Sequence, residues 1–129
     1  MLKQLLSGFS ELAYGAMRAV LAFLYLCHGL QKLGAFGGHF VPLLSLLGAA
    51  AVIETLMGPL IGVGLFTPIA AFIASGELAV AYFRVHMPRG GLPIQNGGEL
   101  AVAYCFAFLY IATRGGGRWS LDSLRRGGR

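Results

Sequence analysis

Long apolar runs separated by short polar segments dominate the pattern of hydrophobic and polar positions along this chain. A helix that crosses a membrane needs about 20 mostly apolar residues. The runs predict four such helices, at residues 12–30, 41–65, 67–85 and 97–113, the last being short for a full crossing. The predicted fold is therefore all-α, a single integral membrane domain built as a four-transmembrane-helix bundle.

The connections between the spans carry turn signals. Pro42 is predicted to lie in the first turn of the second span, where proline is tolerated. A tight turn at Phe66-Thr67-Pro68 is predicted to join the second and third spans, and a Gly- and Pro-containing segment at residues 86–95 the third and fourth.

Composition supports the membrane assignment, since 57% of the 129 residues are hydrophobic and 12% are charged. A soluble domain carries about 25% charged residues. Basic residues concentrate in the tail at residues 114–129, which holds Arg114, Arg118, Arg125, Arg126 and Arg129. Because positive residues favour the cytoplasmic side, both termini are predicted to be cytoplasmic and the two longer loops to face outward.

Other classes of function find little support. No soluble basic face is available, which argues against nucleic-acid binding. Cys27 and Cys105 lie inside apolar runs without a C-x-x-C motif, and small buried hydrophobes often have that setting. A metal site formed by His28, His86 and Glu99 is a weaker alternative, because no H-x-x-x-H or E-x-x-H spacing is present, and no metal is predicted.

Ionisable residues recur inside all four apolar spans. They are Arg18, His28 and Lys32 in the first span, Glu54 in the second, Glu77 and Arg84 in the third, and Glu99 in the fourth. The residues of the first span share one helical face with Tyr25. A charge facing lipid costs at least about 2.5 kcal/mol, so these side chains are predicted to point inward.

Depth along the helices, at about 1.5 Å per residue, predicts two layers. The inner layer would contain Arg18, Glu54 and Glu77, and the outer layer His28, Lys32, Arg84 and Glu99. Two interpretations stay open. The charges are either mutually neutralised ion pairs that fix the helix arrangement, or the lining of a polar pocket for a small redox-active or acidic molecule.

Several motifs together carry a resemblance to a known family. Arg18 is followed by Cys27-His28-Gly29-Leu30-Gln31-Lys32-Leu33, the fourth span is preceded by Asn96-Gly97-Gly98-Glu99, and the tail contains Gly115-Gly116-Gly117-Arg118-Trp119-Ser120-Leu121-Asp122. In these motifs the chain resembles the DoxX family of small four-helix membrane proteins. The resemblance covers nearly the whole chain, from about residue 16 to residue 122.

The resemblance implies a multi-pass protein of the bacterial inner membrane and a link to quinone or thiol redox chemistry, since the family is named for a thiosulfate:quinone oxidoreductase subunit. One hypothesis is a redox-associated subunit that binds a quinone or similar molecule between the helices. No flavin, haem or iron–sulfur motif is present, so electron transfer would need a soluble or membrane redox partner.

The alternative hypothesis is a non-enzymatic membrane module, transporter-like or an assembly factor, whose charges are structural. Under either hypothesis the lipid bilayer is the first partner and a homo-oligomer is allowed. The sequence assigns no reaction.

Overall fold

The computed structural model describes residues 1–127, which contain helices and connecting loops but no strand. The helices are α1 (Leu2–Ser7), α2 (Ser10–Lys32), α3 (Leu46–Val63), α4 (Thr67–Ala81), α5 (Pro93–Asn96), α6 (Glu99–Arg114) and α7 (Leu121–Gly127). Helix α4 continues through a π-helical turn, Tyr82–His86, and a 3-10 turn, Met87–Arg89. The all-α prediction is confirmed for the part of the chain that the structure describes.

Three of the helical segments are long and apolar enough to cross a membrane: Ser10–Lys32, Leu46–Val63 and Thr67–Arg89. Helix α6 has 16 residues. Large apolar side chains such as Phe23, Phe72 and Phe106 are exposed on the outside of the bundle, as expected where lipid is the solvent. The structure is thus that of a membrane helical bundle, while the count of four crossings and the cytoplasmic location of the termini stay predictions.

The four long helices form two packed pairs. Helix α2 lies along α3 and helix α4 along α6, and contacts between α3 and α4 join the pairs. Small residues allow the first pair to approach closely, because a Cβ at Gly58 would lie 2.9 Å from the Leu26 Cβ atom. Helices α2 and α6 meet through aromatic rings, for example Tyr25 and Phe108, whose centroids are 5.0 Å apart.

Helix α3 begins later than predicted. Residues 41–45 belong to the loop, so Pro42 lies before the helix and not in its first turn. Ser45 is the N-cap, and its Oγ accepts a hydrogen bond of 3.0 Å from the Gly48 N–H. The Ser45 hydroxyl satisfies a free N–H of the first turn of α3, whereas the Pro42 side chain has no oxygen that could accept such a bond. The predicted tight turn before α4 is present, with Phe66 in the left-handed region at φ 50°.

We call the end of the bundle that holds the α3–α4 turn and residues 115–127 the tail side, and the end that holds residues 33–45 and 87–98 the loop side. On the tail side, Arg18 donates hydrogen bonds to the carbonyls of Ile61 (2.6 Å), Gly62 (2.8 Å) and Gly116 (3.1 Å), and also to that of Trp119. The last carbonyls of a helix lack partners within the helix. The guanidinium therefore ties α2 to the end of α3 and to the tail.

This arrangement makes the predicted inner layer wrong. Arg18 contacts backbone carbonyls of the tail side and forms no ion pair with Glu54 or Glu77. The reason is that α3 ends beside Arg18, so the carbonyl groups of Ile61 and Gly62 are the acceptors within reach.

Asp122 fastens the tail to α4. Its two carboxylate oxygens accept hydrogen bonds from the N–H groups of Phe66 and Thr67, each at 2.9 Å. Partial burial raises the pKa of Asp122, but the bonds from Thr67 and Phe66 outweigh that effect and hold the pKa below its ordinary value. The carboxylate also lies at the start of α4, where the helix dipole favours a negative charge.

Asn96 organises the loop side. Its side-chain amide donates to the Gly90 carbonyl (2.9 Å) and the Tyr82 hydroxyl (3.2 Å), and its Oδ1 accepts from the Gly98 N–H (2.9 Å). A Cβ at Gly98 would lie 2.7 Å from the Tyr82 ring, so only glycine fits there. The Asn-Gly-Gly motif therefore clamps the start of α6 against the π-helical turn.

Candidate functional site

A cavity of about 600 Å³ lies between α3 and α4 in the loop-side half of the bundle. Small-molecule sites in proteins commonly occupy about 300–1,000 Å³. Its walls come from all four long helices, with α2 and α6 forming the side opposite the α3–α4 seam. The cavity is mainly apolar, and its polar side chains are few and lie close together.

Lys32 and Glu54 form the first polar pair of the cavity. The Lys32 ammonium donates to both carboxylate oxygens of Glu54, at 2.8 and 3.0 Å. Glu54 is 4% exposed, so its charge depends on this partner. Two of the three ammonium hydrogens are used, which leaves one donor for a ligand.

Tyr25 and Glu77 form the second pair. The Tyr25 hydroxyl, carried by α2, donates a hydrogen bond of 3.0 Å to Glu77 Oε2 on α4. Within residues 1–127, Glu77 makes no ion pair. The second carboxylate oxygen is therefore an acceptor, and in the acid form a donor, that a ligand can use.

His28, Tyr104 and His86 complete the polar lining. The His28 and Tyr104 rings meet edge to face, with centroids 6.4 Å apart. His86 lies at the end of the π-helical turn, where its Nδ1 is 3.3 Å from the Asn96 carbonyl oxygen. π-Helical turns are frequent at functional sites, and here the turn places an imidazole at the loop-side rim of the cavity.

Besides Leu100 and Ala101 of α6, the rest of the lining consists mainly of apolar side chains of α3 and α4. Those that are also exposed on the outside of the bundle are Leu46, Leu47, Phe72, Ile73 and Val80. Gly76 lies among them, and a Cβ added there would meet nothing within 4 Å. The cavity thus combines an apolar margin at the surface of the bundle with a polar wall inside it.

The structure brings together four of the seven predicted site residues. His28, Lys32, Glu54 and Glu77 line the cavity, whereas Arg18, Arg84 and Glu99 do not. The predicted outer layer is not formed, because Arg84 and Glu99 are exposed and make no ion pair among residues 1–127. Lys32 instead pairs with Glu54, which the prediction had assigned to the inner layer.

Local geometry explains both displaced residues. Arg84 lies in the π-helical turn, which changes the angular step per residue and breaks the seven-residue relation to Glu77. The buried face of α6 carries Ala101, Tyr104, Phe108 and Ile111. Glu99 precedes Ala101 by two residues, which turns it about 200° away from that face.

Sequence reasoning did not place Tyr25 or Tyr104 in the site, and it considered His86 only for a metal site with His28 and Glu99. Tyr25 shares a helical face with His28 and Lys32, and that signal was visible. Tyr104 is the one residue with a hydroxyl on the buried face of α6, which only the packing reveals. His86 depends on the π-helical turn, for which the sequence carries no clear signal.

Among residues 1–127 no three His, Cys, Asp or Glu side chains come close enough together to hold a metal ion. Chemically, the cavity offers an ammonium, two imidazoles and the Tyr104 phenol as hydrogen-bond donors, and two carboxyl groups as acceptors, while the Tyr25 hydroxyl already donates to Glu77. This set can bind a molecule with carbonyl or hydroxyl groups on a ring and can exchange protons with it.

The comparisons with known proteins agree with the motifs. The DoxX family model matches residues 13–87, which is more than half of the chain. A relative from Haemophilus influenzae, itself named only as an uncharacterized protein, is 41% identical over 115 residues, covering 83% of this chain and 86% of the relative. No solved structure matches the chain.

Proposed function

We propose that this chain, which belongs to the DoxX family, binds a quinone or a similar small molecule in the cavity between its helices. The observation that carries the proposal is the pairing of an apolar margin at the bundle surface with a polar wall that holds Lys32 and Glu77. Quinone carbonyls need hydrogen-bond donors, and proton-coupled reduction needs a group that exchanges protons.

The residues have distinct parts in this proposal. Lys32, held by Glu54, and His28 supply donors for a carbonyl oxygen of the ring. Tyr25 and Glu77 form the pair that gives or takes a proton at the deep end of the cavity. In this proposal the electrons come from, or go to, a redox partner in the bacterial inner membrane or at its surface.

The test is a titration of the protein in lipid nanodiscs with a benzoquinone that carries a decyl chain. Saturable binding near one ring per chain is expected. Glu77→Gln keeps an acceptor for Tyr25 but removes the acid, and it should weaken binding at least about tenfold, the loss of one charge-assisted hydrogen bond. Glu99→Gln is the matched control, because Glu99 lies outside the cavity, and it should bind like the unmodified protein.

Absence of saturable binding in the unmodified protein would contradict the proposal. An equal loss of affinity in Glu77→Gln and Glu99→Gln would also contradict the proposal, because the effect would then not depend on the cavity.

One observation favours a second candidate function. Arg18 fastens α2 to the end of α3 and to the tail, and Lys32 and Glu54 neutralise each other. If all the intramembrane charges are structural in this way, the protein is a non-enzymatic module, transporter-like or an assembly factor, that docks a partner. That candidate predicts no quinone binding and no difference between Glu77→Gln and Glu99→Gln beyond stability.

A further inference from the structure

We infer that the ligand reaches the cavity from within the membrane, through the seam between α3 and α4 at Gly76, and that its ring lies against Tyr104. The inference rests on the proposed function and specifies it. The ligand class is a membrane-dissolved molecule with a polar ring and an apolar chain, the chain staying in the seam.

The seam opens to lipid at Gly76. Phe72 and Val80 lie one turn before and one turn after it, both line the cavity, and both are exposed on the outside of the bundle. A glycine between them leaves open space, since no atom lies within 4 Å of where its Cβ would be. The gap is therefore bordered by apolar groups, so a hydrocarbon chain can pack there without removing water from any polar group.

Tyr104 supplies an unused polar group on the opposite wall. The residue is 6% exposed and lines the cavity. Its hydroxyl makes no hydrogen bond with any described residue, and it is not one of the two fully buried side-chain oxygens without a partner, those of Thr55 and Thr67, so it is accessible from the cavity. A ring carbonyl or hydroxyl that enters from the seam would provide the missing partner.

The tail-side end of the cavity offers no competing route. Between Tyr25 and the tail side, buried side chains fill the bundle, each at most 1% exposed: Ala22, Ile61, Ala71 and Phe108. The loop-side end carries the polar groups of His86 and the Asn96 clamp. An apolar chain is therefore accommodated at the α3–α4 seam and not at either end.

Two photoreactive forms of the decyl benzoquinone test the geometry in nanodiscs. An azide on the ring is expected to label α2 and α6, at or near residues 25–32 and 101–104. A diazirine at the end of the chain is expected to label α3 and α4, at residues 46–53 and 72–80. Chain label in the loops at 33–45 or 87–98 would overturn the membrane route.

Two matched pairs of variants test the residues. Tyr104→Phe keeps the ring and is expected to raise Kd about tenfold, as for one buried hydrogen bond. Tyr110→Phe, the same change at an exposed position of α6, should leave Kd unchanged. Gly76→Leu fills the gap and should lower the association rate at least about tenfold by steric exclusion, while Ala103→Leu on the lipid-facing side of α6 should not.

The outcomes separate this inference from the proposed function. Unchanged binding in both Gly76→Leu and Tyr104→Phe, with normal binding by the unmodified protein, would overturn the route and the ring position and leave the proposed function intact. No saturable binding by the unmodified protein would overturn both. Circular dichroism and gel filtration of each variant show that a changed Kd is not a folding defect.

Discussion

Arg18 on α2 donates a hydrogen bond of 2.6 Å to the carbonyl of Ile61 near the end of α3. The side chain is 2% exposed, and its other donors reach the carbonyls of Gly62, Gly116 and Trp119. A single guanidinium thus satisfies carbonyls from two segments far apart in sequence, and its five donors in a planar fork suit that task better than a lysine would.

Arg18→Met is therefore expected to be strongly destabilising. It leaves the carbonyls of Gly62, Gly116 and Trp119 without this donor, while that of Ile61 keeps the Gly64 N–H. Each unsatisfied carbonyl costs about 1–3 kcal/mol, so the loss should be at least about 3 kcal/mol. The free energy of unfolding in bicelles measures it. Arg89→Met is the matched control, since Arg89 is exposed at the loop-side end of its segment, and it should change stability by no more than about 0.5 kcal/mol. Comparable losses in the two variants would contradict the assigned role of Arg18.

Asp122→Ala is expected to loosen the tail from α4 and to cost about 1 kcal/mol, as for the loss of other helix caps. Asp122→Asn keeps one acceptor oxygen, so its melting temperature should lie between those of the unmodified protein and Asp122→Ala. The measurement is the melting temperature of each variant, with protease sensitivity of the tail as a local readout.

The contribution of Asp122 should also depend on pH. Because the pKa in the folded protein is lowered, the stabilisation is fully present above the ordinary aspartate pKa of about 3.9 and is lost as the pH falls through the folded value. The difference in melting temperature between the unmodified protein and Asp122→Ala should therefore be constant near neutral pH and shrink below about pH 4. A difference that grows on acidification would have the wrong sign for this cap.

The Lys32–Glu54 pair should respond unequally to single substitutions. Lys32→Met leaves the buried Glu54 carboxylate without a counter-ion and is expected to cost about 3 kcal/mol or more. Glu54→Met should cost less, because the Lys32 side chain is 24% exposed and the ammonium left behind is therefore less deeply buried than the Glu54 carboxylate, whose side chain is 5% exposed. The double variant Lys32→Met/Glu54→Met should recover most of the loss, and chemical unfolding of all three variants provides the cycle. Additive losses in the double variant would refute coupling within the pair.

Glu77→Leu is expected to cost only about 1–3 kcal/mol, because Tyr25 loses a hydrogen-bond partner but no buried arginine is left uncompensated. In the predicted inner layer the same change would have orphaned Arg18, at about 3–5 kcal/mol. Tyr25→Phe/Glu77→Leu should be no less stable than Glu77→Leu alone, since the orphaned hydroxyl is then absent. Thermal unfolding of both variants distinguishes the Tyr25–Glu77 pair from the predicted inner layer.

The orientation of the chain is a prediction from the arginine-rich tail. A reporter fused after Arg129, a residue outside the described part of the chain, should be active only if the reporter works in the cytoplasm. A second fusion in the loop at residues 33–45 should show the opposite behaviour. Activity of a periplasm-dependent reporter at the tail would reverse the assigned sides.

The sequence by itself determined the all-α membrane class and the approximate helices of this protein. Apolar runs near the length of a bilayer and glycines at their ends are local properties, so they predict α2, the α3–α4 turn and α6 to within a few residues. It also determined which residues carry charge inside the membrane, because a costly residue in an apolar run stands out without any knowledge of packing.

Only the tertiary structure decided which of those residues meet. Lys32 and Glu54 are 22 positions apart and Tyr25 and Glu77 are 52, and their pairing depends on how the helices are offset and rotated. Depth along an ideal helix could not predict the position of Arg84, because a π-helical turn changes the direction of its side chain. It also could not predict the partners of Arg18, because they depend on α3 ending beside that residue. Rotation, register and helix ends are set by side-chain packing between helices, and so the cavity and its unpaired Tyr104 hydroxyl emerge only when the bundle is assembled.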